Sequence, residues 1–233
     1  MLSRVMRFGV GLLCSAATLS AIGCGGGGSA KFRVLQAVPN EPNLNVLIDS
    51  TSINSALAFE ADTGYQTEKS GSHQFAMEQP GSTTNIVPSG NQTLNLTSNS
   101  QNTFILTGYS SSISGMLLSD DTTAPTNSEI NLRIVNAAAS LGTTAPGDEV
   151  DVYVVASGTA LSGTPTVSAL AFNSASDYQS IAAGTYQIYF TEPGTTLTYY
   201  STPPITFTAG QNRTVVFLSP LGFFTTTTLN DLN

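Results

Sequence analysis

The chain repeats itself. Phe32-Arg33-Val34-Leu35-Gln36-Ala37 returns as Leu132-Arg133-Ile134-Val135-Asn136-Ala137 at an offset of 100. Ser55-Ala56-Leu57-Ala58-Phe59 returns unchanged as Ser168-Ala169-Leu170-Ala171-Phe172 at an offset of 113. In that second register Tyr65-Gln66 matches Tyr178-Gln179, Gly71 matches Gly184, Gln74 matches Gln187 and Pro80-Gly81 matches Pro193-Gly194. Gln101-Asn102 then matches Gln211-Asn212 at an offset of 110. The matches are colinear, and a few insertions account for the changing offset. Whatever fold one copy adopts, the other must adopt too. Two copies are too few for a solenoid, so each should close its own core. The first copy is expected over 31–121, a linker over 122–128 and the second copy over 129–233. The extra length of the second copy falls in loops around Ser140–Gly147 and Ser157–Thr166.

Within each copy the hydrophobic period is two. Phe32, Val34 and Gln36 alternate with Arg33, Leu35 and Ala37, and Val150, Val152 and Val154 alternate with Asp151, Tyr153 and Val155. Thr185–Phe190, Ile205–Thr208 and Thr214–Leu218 are further β-branched or aromatic runs, bounded by turn signals such as Pro39-Asn40, Ser89-Gly90 and Ala209-Gly210. No amphipathic helix of ten residues or more is readable beyond the N-terminal segment. Many short strands with frequent turns predict an all-β chain of two tandem antiparallel β-sandwiches, immunoglobulin-like or transthyretin-like, with about seven strands per copy.

Ahead of the repeats, residues 1–23 have the form of an export signal. Arg4 and Arg7 are its positive end, and Phe8 to Ile22 is an apolar stretch too short for a comfortable membrane span. Ala21-Ile22-Gly23-Cys24 resembles a lipobox, the cleavage site of bacterial lipoproteins, with Ala21 where Leu is usual. A small residue before the cysteine gives the peptidase access to the backbone, and the thiol accepts the diacylglycerol. Several acyl chains then hold the membrane firmly. Gly25-Gly26-Gly27-Gly28-Ser29 follows as a flexible tether. Cys24 is therefore the expected lipidation site and the membrane the expected partner, at the outer membrane, the periplasmic face or the cell surface. Cys14 leaves with the leader, so the mature chain has no second cysteine for a disulfide. Cleavage leaves five basic residues against 15 acidic ones, a net charge of -10, with no basic patch for nucleic acid.

The opening run Phe32-Arg33-Val34-Leu35-Gln36-Ala37-Val38-Pro39-Asn40-Glu41-Pro42-Asn43-Leu44-Asn45-Val46 resembles a bacterial family known as domain of unknown function 4397, as does Val150-Asp151-Val152-Tyr153-Val154. So do Ser176-Asp177-Tyr178-Gln179 and Ala183-Gly184-Thr185-Tyr186. The family often has His where Gln36 and Asn136 stand, and the second copy has Ala138-Ala139-Ser140-Leu141-Gly142 in place of the Pro-rich turn. The resemblance implies tandem β-sandwich envelope domains and carries no activity with it.

Candidate chemistry is sparse. His73 is the sole histidine and aligns with Tyr186, which reads as a strand surface or sandwich edge. Without a second His or a Cys-His pair, no nucleophilic triad can be assembled. Asp120-Asp121 falls at the linker and reads as solvated, and Asp148-Glu149-Val150-Asp151 reads as a solvated strand end, with a calcium loop as the sharper alternative. Asn91-Gln92-Thr93 and Asn212-Arg213-Thr214 fit a glycosylation pattern of little force in bacteria, and the Gly25–Gly28 run has no Lys-Ser/Thr to make a phosphate loop. Tyr199-Tyr200 and Phe223-Phe224 are aromatic pairs expected to turn one ring inward and one outward. No catalytic residue, metal or cofactor emerges. The reading is a lipid-anchored, non-enzymatic envelope module for structural, adhesive or protein contacts. A glycan-binding module, with loops at one end of each sandwich, is the alternative, and a carboxylate-dependent hydrolase comes third. Open sandwich edges could also pair with another copy.

Overall fold

The computed structural model describes residues 27–126, 128–139 and 149–232. Cys14, Cys24, Gly25, Gly26 and Asp148 lie outside them, as does the Ser140–Gly147 loop. The first repeat holds β1 (Ser29–Gln36), β2 (Leu44–Ile48), β3 (Thr51–Leu57), β4 (Gln66–Lys69), β5 (Gly71–Glu78), β6 (Thr93–Leu96), β7 (Gln101–Tyr109) and β8 (Ser112–Ser119). The second holds β9 (Glu129–Asn136), β10 (Glu149–Ala156), β11 (Val167–Ala171), β12 (Ser174–Ala175), β13 (Gln179–Ala182), β14 (Gly184–Thr191), β15 (Thr198–Ser201), β16 (Ile205–Phe207), β17 (Asn212–Leu218) and β18 (Thr225–Leu232). The only helical element among the described residues is a single 3-10 turn, Ser89–Asn91.

Each repeat is a two-sheet sandwich, as its alternating runs predict. In the first, the sheet β4-β1-β7-β8 packs on β3-β2-β5-β6; in the second, β9, β17 and β18 with the short β12 and β13 pack on β11-β10-β14 with β15 and β16. The pairing is antiparallel with one exception per repeat. β1 runs parallel to β7, and β9 parallel to β17. Among the described residues the first repeat has eight strands and the second ten, rather than about seven each.

Side chains on one face of each strand build the two expected cores. Phe32, Val34, Phe75, Phe104 and Leu106 are among the buried residues of the first, where Phe75 meets Phe32 and Phe104 edge-on. Ile134, Val152, Phe190, Val215 and Phe217 are among those of the second, where the rings of Phe190 and Phe217 stack. The duplicated Ser-Ala-Leu-Ala-Phe segment earns its repetition through Leu57 and Leu170, each buried in its own core.

A third core lies between the repeats. Leu35, Ala37, Ile105 and Met116 from the first meet Val135, Ala137, Val216, Leu218 and Leu229 from the second. The sheets that carry β1 and β9 therefore face each other, and these strands are buried on both sides. This explains why both alternating sets in Phe32–Ala37 are mainly apolar, with Arg33 and Gln36 as their buried polar members.

The repeats also share small polar fasteners. Gln36 and Asn136 are wholly buried, and each receives the backbone N–H two residues on, from Val38 and Ala138. His73 is buried, not a free strand surface, because two turns close over it. One is the β2–β3 turn, where Asp49 and Ser50 both take positive φ as a two-residue hairpin of this kind requires. The other joins β4 to β5. His73 Nδ1 lies 2.8 Å from the Asp49 carboxylate and Nε2 2.7 Å from the Lys69 carbonyl oxygen. In the second repeat the Tyr186 hydroxyl donates to the carbonyl of Ala182, the residue equivalent to Lys69.

Only the doubly protonated His73 ring donates to both acceptors. The hydrogen bond to Asp49, helped by the Lys69 carbonyl, outweighs burial and raises the His73 pKa above its ordinary value. The same bond holds Asp49 below the usual carboxylate range. A raised histidine pKa stabilises the fold fully below the unfolded value of about 6.5 and loses that stabilisation as pH rises through the folded value. Thermal melts across this range should therefore show the melting temperature falling above about pH 6.5. That slope should flatten in His73→Tyr, which copies the second repeat.

Candidate functional site

Four buried charged side chains, Arg33, Arg133, Asp120 and Asp231, meet at the seam between the repeats. Arg33 on β1 points away from its own core. Its Nη2 donates to Asp231 Oδ1 at 2.6 Å and its Nη1 to the Asn230 carbonyl at 3.0 Å, both at the end of β18. Arg133, at the same place on β9, donates through Nη2 to Asp120 Oδ1 and through Nη1 to the Ser119 carbonyl at the end of β8. Each repeat thus lends its arginine to the other's aspartate.

Within each repeat a threonine and a tyrosine complete the set. Thr103 accepts from Arg33 Nε and Nη2 and donates to Asp120 Oδ2 at 2.6 Å. Thr214 accepts from Arg133 Nε and donates to Asp231 Oδ2 at 2.6 Å. Tyr65 donates to Asp120 Oδ2 at 2.6 Å and Tyr178 to Asp231 Oδ2 at 2.8 Å. The guanidinium of Arg33 lies 4.4 Å from the centre of the Tyr65 ring, and that of Arg133 lies 4.6 Å from the centre of the Tyr178 ring.

The carboxylates of Asp120 and Asp231 have no exposed side-chain surface, and both arginine side chains are under 5% exposed. Burial opposes the charge on Arg33, but Tyr65, Asp231 and Asp120 together hold its pKa above the ordinary value. Burial, reinforced by Asp120, pushes the Tyr65 hydroxyl well above its usual range. Burial likewise dominates at Tyr178 and, with Asp231 and Asp120, raises its hydroxyl against the opposing pull of Arg133. Both tyrosines are therefore neutral donors. Two positive charges face two negative ones, with both carboxylates buried and both tyrosines half-buried beside them. Such a set holds a geometry; it offers no free base, acid or nucleophile.

Asp120 is thus not the solvated linker residue its neighbours in sequence suggest. Its backbone N–H bonds to the Gln101 carbonyl, which extends the β7–β8 ladder past Ser119 and turns the carboxylate into the seam. The signal for it is the offset. Lys31 pairs with Gln101 on β7, and Asn131 pairs with Asn212 on β17. The true register here is 111, one more than the Gln101-Asn102 match gives. At 111, Thr103 falls on Thr214 and Asp120 on Asp231. A slip of one residue exchanges the two faces of a strand, which hid the pairing.

The other candidates are structural as well. Asp151 is buried, not a solvated strand end: its two oxygens accept the backbone N–H groups of Ala169 and Gly194, each at 2.7 Å, clamping two loops. Asn212, Arg213 and Thr214 are buried, so that glycosylation pattern is out of reach. Phe224 packs on the second core while Phe223 is 63% exposed, so that pair divides as expected, whereas Tyr199 and Tyr200 are both half-buried against the second core and do not divide. Among the described residues no cluster of His, Cys, Asp and Glu could hold a metal ion. His73 and Asp49 border a shallow cleft of about 290 Å³ with Glu68 and Lys69.

Comparison with known proteins adds the following. No curated protein matches the chain. Among solved structures, a family 26 carbohydrate-binding module from Eubacterium rectale, determined in complex with maltoheptaose, aligns over 85% of this chain and 96% of its own at 10% identity and a TM-score of 0.27. A TM-score this low carries neither the fold nor the ligand of that module over to this chain. The profile of the family described as "Domain of unknown function (DUF4397)" matches residues 30–144 and again 142–233. The two matches meet beyond β9, so the first takes in the strand that bears Arg133. Matched twice in tandem and over nearly all of its described residues, the chain belongs to the DUF4397 family.

Proposed function

We propose that the chain is a lipid-anchored, non-enzymatic module of the bacterial cell envelope that works through structural, adhesive or protein contacts. The observation that carries this reading is Cys24 at the end of Ala21-Ile22-Gly23, after a charged and apolar leader and before the Gly25–Gly28 run. The reading is supported by the use the fold makes of its reactive side chains. Arg33, Arg133, Asp120, Asp231, Tyr65 and Tyr178 are engaged with one another, His73 fastens two turns and Asp151 clamps two loops. The seam joins the two repeats through a shared apolar cluster and exchanged ion pairs, which suits a spacer or a presented surface.

Glycan binding is a second reading, and one observation favours it. Leu221 and Phe223 in the β17–β18 loop, and Leu197 before β15, are more than 60% exposed, and Tyr199 lies against Phe224 beside them. Exposed apolar side chains gathered at loops of one repeat are the kind of surface on which a sugar ring can stack.

Cells fed labelled palmitate should incorporate it into the wild-type chain and not into Cys24→Ser. The variant should move from the membrane to the soluble fraction with an unchanged β-sheet circular dichroism spectrum; retention in the membrane would refute the anchor. Asp120→Asn strands Arg133 and should cost about 3–5 kcal/mol of unfolding free energy by denaturant titration. Asp231→Asn, which strands Arg33, should cost a similar amount. On a glycan array, any binding by the wild-type protein should be lost in Phe223→Ala, and a silent array for both would remove the second reading.

A further inference from the structure

Two long strands end the inner sheets, β8 in the first repeat and β18 in the second, and they are structural equivalents. Thr103 pairs with Leu118 in one and Thr214 with Leu229 in the other. They differ where it matters for an edge. β8 reads Ser112-Ile113-Ser114-Gly115-Met116-Leu117-Leu118-Ser119, with no charge and no proline, and its Leu117 is 39% exposed. The position equivalent to Leu117 on β18 is the exposed Thr228. Natural edges are commonly guarded by charge, proline, shortness or a bulge. The remaining edges here have such guards: β3 and β11 carry register shifts, β4 is four residues long with Glu68 and Lys69, β6, β13 and β15 are equally short, and β12 and β16 are shorter still. β8 has none.

The backbone of β8 is also open. The Asp120 N–H to Gln101 carbonyl bond sets the alternation. Ser112, Ser114, Met116 and Leu118 turn their main-chain groups toward β7, and Ile113, Gly115 and Leu117 turn theirs outward. Among the described residues no backbone partner takes these outward groups. The nearby 3-10 turn Ser89–Asn91 makes its own hydrogen bonds to Pro88 and Ser89.

We propose that β8 pairs antiparallel with β8 of a second copy, joining the two inner sheets into one continuous sheet across the dimer. The register follows from the pleat. A two-fold axis through Gly115 sets Ile113 opposite the second copy's Leu117 and Gly115 opposite itself, and these are the residues whose main-chain groups are free. Ile113 packs on the first core, so its contact would cover Leu117 at the rim of that core. Gly115 cannot carry a side chain, since a Cβ there would lie 2.5 Å from the Phe104 ring. An acidic chain of net charge -10 after cleavage resists self-association elsewhere, but this seam brings no like charges together.

The test is the mass by sedimentation equilibrium of the purified full chain in detergent. The wild type should sediment at twice the mass of one chain and Leu117→Lys at half the wild-type value. Thr228→Lys, the same charge on the equivalent edge, should remain at the doubled mass. Leu117→Thr borrows the residue that the second repeat already tolerates and should also reduce the mass, which covers the case of a misfolded lysine variant. A wild-type mass of one chain, a doubled mass in both Leu117 variants, or dissociation by Thr228→Lys would each overturn the proposal. It does not rest on lipidation: Cys24→Ser should form the same dimer even if the anchor reading fails.

Discussion

The exchange of arginines between the repeats is the constraint on which the remaining architecture depends. Arg33 finds Asp231, and Arg133 finds Asp120, only when the two inner sheets face each other in one register. A buried ion pair adds little net stability, because desolvation offsets most of the attraction. Its force here is selective. Any other docking would bury two guanidinium groups and two carboxylates without partners, at a cost of several kcal/mol each. The apolar seam of Leu35, Ile105, Val135 and Val216 supplies affinity, and the charge set decides which arrangement that affinity serves.

This division of labour follows from duplication. A repeat with one polar and one apolar sheet face could stand alone. Here β1, β7, β9 and β17 are buried on both faces, with Leu35, Ile105, Val135 and Val216 apolar on the seam side, so either repeat alone would expose an apolar patch to water. The two copies cover each other, and the same four residue types, Arg, Thr, Asp and Tyr, serve twice. Equivalent positions that the seam does not use have diverged: His73 against Tyr186, a two-residue hairpin against the 157–166 loop, and Leu117 against Thr228.

Duplication also leaves a difference that the fold puts to use. The inner-sheet edges are alike in length and pairing, yet only β8 presents an uncharged apolar rim. Identical backbones with different edges are a means by which a tandem protein can assemble through one repeat while the other remains inert.

Much of this was legible in the residues. The repeat, the period of two and the turn signals led directly to tandem sandwiches with separate cores, because these are local properties that each segment carries with it. The seam was not. Asp120 lies next to the linker and reads as solvated, and nothing in the run around Arg33 names a partner for its charge. Their partners stand 13 and 198 residues away. Only the facing of two sheets brings them together, and a one-residue slip in the repeat register was enough to hide that Asp120 and Asp231 are the same position. The sequence alone determined what each repeat becomes and where Cys24 stands. Tertiary structure decided which charges are buried, since burial is a property of what packs against a strand and not of the strand itself.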